Sequence, residues 1–402
     1  MFLLNKHADY RTALDPVDAD TLGSAGADAI ERHLAQRVDH AATPLHGLPG
    51  LASEFGIGTL HVKDEGHRLG LGSFKALGGG YAVTRLVLEA AEAQLGRSLG
   101  DDAFLLPEVR ALVASMTFAC ATDGNHGRSV AQGAQLVGAK AAIIVHGGVS
   151  EERIAAIARF GAQIVRVAGT YDDSIVEAAR MAGENGWIVV SDTSWPGYER
   201  VPGLVMQGYT AIVREALKQL LSAPTHVFVQ AGVGGIAAAV AAHLALVLGE
   251  DRPVFTVVDP ARAACIFEAA RAGRPIKVAH GEPTVMAMLE CYEPSPIAWR
   301  VLSRVADAFM TVEDADAVAM MNRLARPTGG DPAIVGGESG VAGLAGLMRA
   351  MADPAIAGAL GLDGSSRVLV INTEGATDPV QYEALVGLTP DAVRSVTPQA
   401  RV

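Results

Sequence analysis

Cysteine is scarce: Cys120, Cys265 and Cys291 are the only three in 402 residues. They form no CxxC and no Cys/His ligand spacing, which argues against a zinc site and leaves ordinary buried thiols of a cytosolic chain as the reading. Charge is sparse as well. Charged residues make up 19% against 50% hydrophobic, the balance of a well-buried globular enzyme rather than a disordered or fibrous chain. There is no basic cluster and the net charge is −12, so neither nucleic acid nor an anionic membrane surface is expected as a partner. The N-terminal apolar run, Phe2 to Leu4, is too short for a secretory signal. Long hydrophobic runs are missing except over 231–249, which has the length of a membrane span. That run is mostly Ala, Gly and Val and directly follows the strand-like THVFVQ, so a buried helix on a sheet is expected and the protein is read as cytoplasmic. A GxGxxG fingerprint and a Walker lysine are also lacking.

What is present is a rapid alternation of elements. From Ser115 the apolar run SMTFACAT precedes a helical stretch near 126–137. Then follow AAIIVH, a helix capped by Ser150, QIVRVA, a helix over about 171–184, and WIVVSD. Short continuous apolar strands of this kind suit a parallel sheet covered on both faces. THVFVQ, VFTVVDP and RVLVINTEG read as strands of a second parallel sheet, and 314–325 and 341–351 as helices. The Gly/Pro-marked segment SWPGYERVPG, 194–203, is the candidate boundary. The expectation is an α/β protein of two three-layer parallel-sheet domains. Residues 1–88 and 194–402 would form a large domain and 89–193 a small mobile one, with the ligand in the cleft between them.

Five segments could carry chemistry. In QAGVGGIAAA, Gly232, Val233, Gly234 and Gly235 join a strand to a small-residue helix, a place where backbone amides can cradle a phosphate; a tight turn explains the same glycines. In ATDGNHGRSVA, Thr122, Asp123, Asn125 and His126 cluster at a strand end, as a ligand site or as an Asx-type turn with its cap. Asp192 ends another apolar strand and also reads as a cap or surface turn, while Thr373 follows RVLVIN. The fifth is GSFKALGGG, which sets Lys75 among small apolar neighbours. A buried ammonium is costly unless paired or neutralised, unless Lys75 simply snorkels from a helix start. A Schiff base with pyridoxal 5′-phosphate would remove the permanent charge and join lysine and glycine loop in one ligand.

The ordered motifs SFKALGG, TDGNHGR, AGVGG, ESGVAG and INTEGATD resemble the fold-type II pyridoxal-phosphate enzymes, relatives of the tryptophan synthase β chain. Within that group, RLGLGSFKALGG, Asp123, SDTSWPGYE and TVMAMLECYEPSP are most similar to the 2,3-diaminopropionate ammonia-lyases. The resemblance implies roles. Lys75 would hold the cofactor with Phe74 beside its ring, and Gly232, Val233, Gly234 and Gly235 would bind its phosphate. Asn125 would meet its 3′-oxygen and Thr373 its pyridine nitrogen. Ser73 and the segment from Thr122 to His126 would hold the carboxylate of a small amino-acid substrate. Asp123 and Asp192 would bind the β-ammonium, with Lys75 as base toward the L-isomer and Asp123 toward the D-isomer. The family also implies a homodimer and raises a Cys265–Cys291 disulfide, which the cytosolic reading opposes. The same cofactor residues would serve a serine or threonine dehydratase or another fold-type II elimination or replacement enzyme. A phosphate-binding module without catalysis would leave Lys75 unexplained.

Overall fold

The computed structural model describes residues 1–396 other than Asp123 and Thr170. Among these, the chain divides into two compact units, Met1–Ser24 with Ala42–His67 and Ile212–Val402, and Ala25–Ala41 with Arg68–Ala211.

The first unit is built on β1 (Phe2–Leu4), β2 (Leu45–Gly47), β3 (Thr59–Asp64), β8 (His226–Gln230), β9 (Val254–Pro260), β10 (Ala308–Val312) and β11 (Arg367–Asn372). Their order is β1-β10-β9-β8-β11-β3-β2, and only the two edge strands run antiparallel. Strands β8 and β10 are buried at every position, which is why they read as unbroken apolar runs rather than alternating ones. Phe228, Val258, Met310, Val370, Leu344 and Leu347 fill its core. Each such side chain, fully buried, contributes about 1.5–3 kcal/mol. The apolar run 231–249 forms the helix Gly235–Leu248, buried from Gly235 to Leu244, with His243 Nδ1 bonded to the Leu22 carbonyl at 2.7 Å. No helix among the described residues is long and apolar enough to cross a membrane.

The second unit holds β4 (Thr117–Ala121), β5 (Lys140–His146), β6 (Gln163–Val167) and β7 (Ile188–Val189), all parallel, in the order β6-β5-β4-β7. Strand β7 is shorter than the run WIVVSD. Beyond Val189, Val190 N–H still donates to the Ala119 carbonyl at 2.8 Å, but Ser191 N–H goes to the Tyr198 hydroxyl at 3.1 Å instead of a strand. Residues 68–88 pack in this unit rather than in the first, because the helix Lys75–Leu95 lies flush on the helix Asn125–Val137.

Candidate active site

The glycines after Lys75 have a steric cause. A Cβ on Gly78 would meet Tyr209 Cε1 and Val205 Cγ1 at 2.7 Å, and one on Gly79 would meet Ser129 Oγ at 2.7 Å. One on Gly133 would meet the Cα of Gly80 at 2.7 Å. The Lys75 helix therefore approaches two other helices nearly backbone to backbone, and Gly80 N–H donates to Ser129 Oγ at 3.0 Å. Close approach brings the helix starts together, with Lys75 at one and Asn125 and His126 at the other.

Lys75 is paired. Its Nζ donates to Asp192 Oδ2, and lies 5.4 Å from the centre of the Phe74 ring. The two side chains keep 20% and 16% of their exposure, so the pair is shielded but not sealed. Burial pushes the Asp192 carboxyl up, yet the Lys75 ammonium, with His126 behind it, outweighs burial and holds it below the usual carboxylate range. Asp192 is positioned by the turn that follows it. Trp195 to Tyr198 form a β-turn with Pro196 then Gly197 at its centre, the latter at φ 85°. The turn stacks Trp195 on Tyr198 at 4.0 Å. Tyr198 then donates its O–H to the Val189 carbonyl at 2.8 Å and accepts from Ser191 N–H at 3.1 Å, gripping the chain just before Asp192.

His126 is buried and donates Nε2–H to the Val190 carbonyl at 2.8 Å. Thr122 Oγ1 accepts from the amides of Gly124 and Gly127, both at 3.0 Å, and so shapes the loop between β4 and the His126 helix. Ser73 and Asn125 are buried in the same unit. Asp123 lies outside the described residues.

In the first unit the glycine loop leaves the end of β8. Gly234 sits at φ 97°, and a Cβ there would meet Ile266 Cδ1 at 2.8 Å; one on Gly232 would meet Cys291 Sγ at 3.0 Å. The loop's carbonyls are used: Cys265 Sγ–H donates to that of Gly232 at 3.3 Å, and Ser295 N–H to that of Val233 at 2.9 Å. Among the described residues, no protein acceptor takes the amides of Gly232, Val233, Gly234 or Gly235. No disulfide joins Cys265 and Cys291. At the end of β11, buried Thr373 accepts through Oγ1 from Gln230 Nε2 at 2.7 Å.

Comparison with known proteins decides what such a set belongs to. The model of the pyridoxal-phosphate dependent enzymes matches residues 37–374. The diaminopropionate ammonia-lyase of Salmonella typhimurium is 37% identical over 374 residues, 90% of this chain and 92% of that protein. The chain belongs to the diaminopropionate ammonia-lyase family. A crystal structure of the Escherichia coli enzyme, in complex with an aminoacrylate–PLP azomethine reaction intermediate, superposes with TM-score 0.86 at 35% identity, covering 96% of each chain. A serine dehydratase-like protein of Mus musculus is 27% identical over 208 residues, 51% of this chain and 59% of that protein. The fold is thus that of the fold-type II pyridoxal-phosphate enzymes.

The residues of this lyase-family chain fit pyridoxal phosphate on their own geometry. Four amides that meet no acceptor among the described residues surround a left-handed glycine, the donor set that an anion such as a phosphate requires. Thr373 already accepts from Gln230, so its own hydroxyl hydrogen remains to donate, which matches an unprotonated pyridine nitrogen. Two residues of this machinery escape a reading by motif. Gln230 is the polar C-terminal residue of the strand HVFVQ, and that is its only signal. Tyr209 packs its ring 4.8 Å from that of Phe74 and buries a hydroxyl that meets no partner among the described residues; in the sequence it reads as a core aromatic of the helix Arg200–Gln219.

Proposed function

We propose that this lyase acts on 2,3-diaminopropionate by α,β-elimination, giving pyruvate and two ammonia, and that the residues above divide the work as follows. Lys75, Phe74, Asn125, Gly232, Val233, Gly234, Gly235 and Thr373 hold the cofactor. When bound, pyridoxal phosphate supplies the electron sink that makes the Cα proton of an amino acid removable. Lys75 Nζ takes that proton from the L-isomer, and Asp123 takes it from the D-isomer. Ser73 and the backbone of the loop from Thr122 to His126 orient the substrate carboxylate. Asp192 binds the β-ammonium.

The observation that carries this reading is the shielded, ionised Asp192 in contact with Lys75 Nζ. A carboxylate there favours a cation and keeps the β-nitrogen protonated, and a protonated amine departs as neutral ammonia. The enamine product then takes up water to give pyruvate and the second ammonia. A hydroxyl leaving group gains nothing from a buried anion, so the pair favours the diamine over serine. The relation to known proteins points the same way, since the dehydratase-like match spans only half of this chain.

The test is ammonia and pyruvate release from L- and D-2,3-diaminopropionate, beside L-serine and L-threonine, with Lys75→Ala as control. Strong preference for the diamine, lost in the lysine variant, is expected. Preference for serine or threonine would keep the cofactor chemistry and remove the ammonia-lyase reading. We further propose a cytoplasmic homodimer. Three cysteines without a disulfide suit a reducing compartment, and light scattering should give twice the chain mass of 41.6 kDa.

A further inference from the structure

His126 carries one more constraint than its neighbours. The Val190 carbonyl can only accept, so the imidazole must bear its hydrogen on Nε2. Burial lowers the pKa of the ring; Lys75 adds to that and Asp192 works against it, and the neutral form prevails at neutral pH. A neutral ring with its hydrogen on Nε2 has a lone pair on Nδ1. That atom is buried and meets no hydrogen-bond partner among the described residues. It therefore cannot donate to a substrate carboxylate; it can only accept. Its position is equally constrained, because Val190 lies two residues before Asp192 in the segment that Tyr198 grips, and both Asp192 and Lys75 act electrostatically on the ring.

We propose that His126 is a specificity-determining residue for the diamine, its Nδ1 accepting a hydrogen bond from the β-ammonium that Asp192 holds. The inference rests on the diamine reading above and assigns the side chain of His126 to the leaving nitrogen. Asp192 supplies charge, His126 supplies a directed lone pair, and together they take two of the three N–H bonds of an ammonium. A serine hydroxyl has one hydrogen and no charge, so it engages one acceptor at most and gains little from the anion.

Two substitutions separate this role from a scaffolding one. His126→Gln places an amide N–H where Nε2 stood, keeping the bond to Val190 and losing the acceptor at the δ position. His126→Asn does the reverse, offering an oxygen at the δ position and giving up Val190. The measured quantity is the ratio of kcat/KM for L-2,3-diaminopropionate to that for L-serine, in the cofactor-loaded enzyme. A wild-type ratio below one would defeat the diamine reading itself, before any variant is considered. Given a wild-type preference for the diamine, the Gln variant should lower the ratio by about tenfold to a hundredfold, the range for one hydrogen bond to a charged group. The Asn variant should keep the ratio within about threefold of the wild type, the discrimination expected once the acceptor is retained. Equal losses on both substrates, or a ratio kept by Gln and lost by Asn, would overturn the proposal.

Nitrogen-15 spectra of histidine-labelled wild type give a readout independent of turnover and of the Gln variant's folding, with His126→Asn assigning the resonance. In the cofactor-loaded enzyme, ethylenediamine leaves a second ammonium beyond the amine that the cofactor takes and should shift the Nδ1 signal, whereas ethanolamine leaves only a hydroxyl and should not. An unmoved signal under saturating ethylenediamine would likewise overturn it.

Discussion

Asp192→Asn removes one charge from a shielded pair, and the cost can be worked through. Breaking a fully buried pair by deleting one partner costs about 3–5 kcal/mol. Here the side chains keep 20% and 16% of their exposure, so solvent screens part of the loss and about 2–3 kcal/mol is the better figure. Lys75 sets an independent ceiling. An ammonium left alone can lose its proton, and from an ordinary pKa of about 10.4 that costs about 4 kcal/mol at pH 7.5. The cofactor-free variant should therefore unfold in denaturant with about 2–3 kcal/mol less stability than the cofactor-free wild type, the value for the screened pair. The pH dependence follows from the sign of the shift. Asp192 has its folded pKa below the unfolded one, so its contribution is present above the unfolded value and is lost as acid takes the pH down through the folded value. The gap between wild type and variant should hold through neutral pH and close only in strong acid. Lys75→Met combined with Asp192→Asn should recover part of the loss, since no charge is stranded. Activity on the diamine should fall by about a hundredfold to a thousandfold, the scale of one electrostatic group in a shielded site. Coincident unfolding curves for the Asn variant and the wild type would refute the pairing on which the site is built.

Two glycine substitutions should act with opposite signs. Gly78→Ala forces a methyl against Tyr209 and the Val205 backbone and should cost about 1–3 kcal/mol by overpacking; Gly183→Ala, with open space around it in the helix Tyr171–Asn185, should gain up to about 1 kcal/mol; thermal melts decide both. His33 is buried edge-on to Tyr81 and its pKa is lowered to about 4 by burial. The unfolded chain then binds an extra proton below its ordinary value, so up to about 3 kcal/mol of stability should drain away between pH 6.5 and 4, and His33→Leu should flatten that slope in denaturant titrations. Tyr198→Phe should lower stability by about 1–3 kcal/mol, because both the Val189 carbonyl and the Ser191 amide lose their partner, and it should lower kcat on the diamine by loosening Asp192.

Much of this protein is written locally. Strands β4, β5, β8, β9 and β11 show in the sequence because a strand buried on both faces is largely apolar, and Gly234 shows because its left-handed backbone disfavours a side chain. The edge strands β1 and β2 do not show. Each is three residues long, and β1 exists only by pairing Phe2 with Met310 across the whole unit. Of the site, the sequence by itself marked the lysine, the glycine loop and the polar strand ends, since their unusual composition needs no partner to be visible. The tertiary structure decided what those groups are. Lys75 meets a carboxylate 117 positions away, Thr373 receives its hydrogen bond from Gln230, and the Val190 carbonyl chooses which nitrogen of His126 carries the hydrogen. Charge state, tautomer and donor direction depend on which atoms lie within about 3 Å, and only the folded chain brings residues so far apart in sequence to that distance.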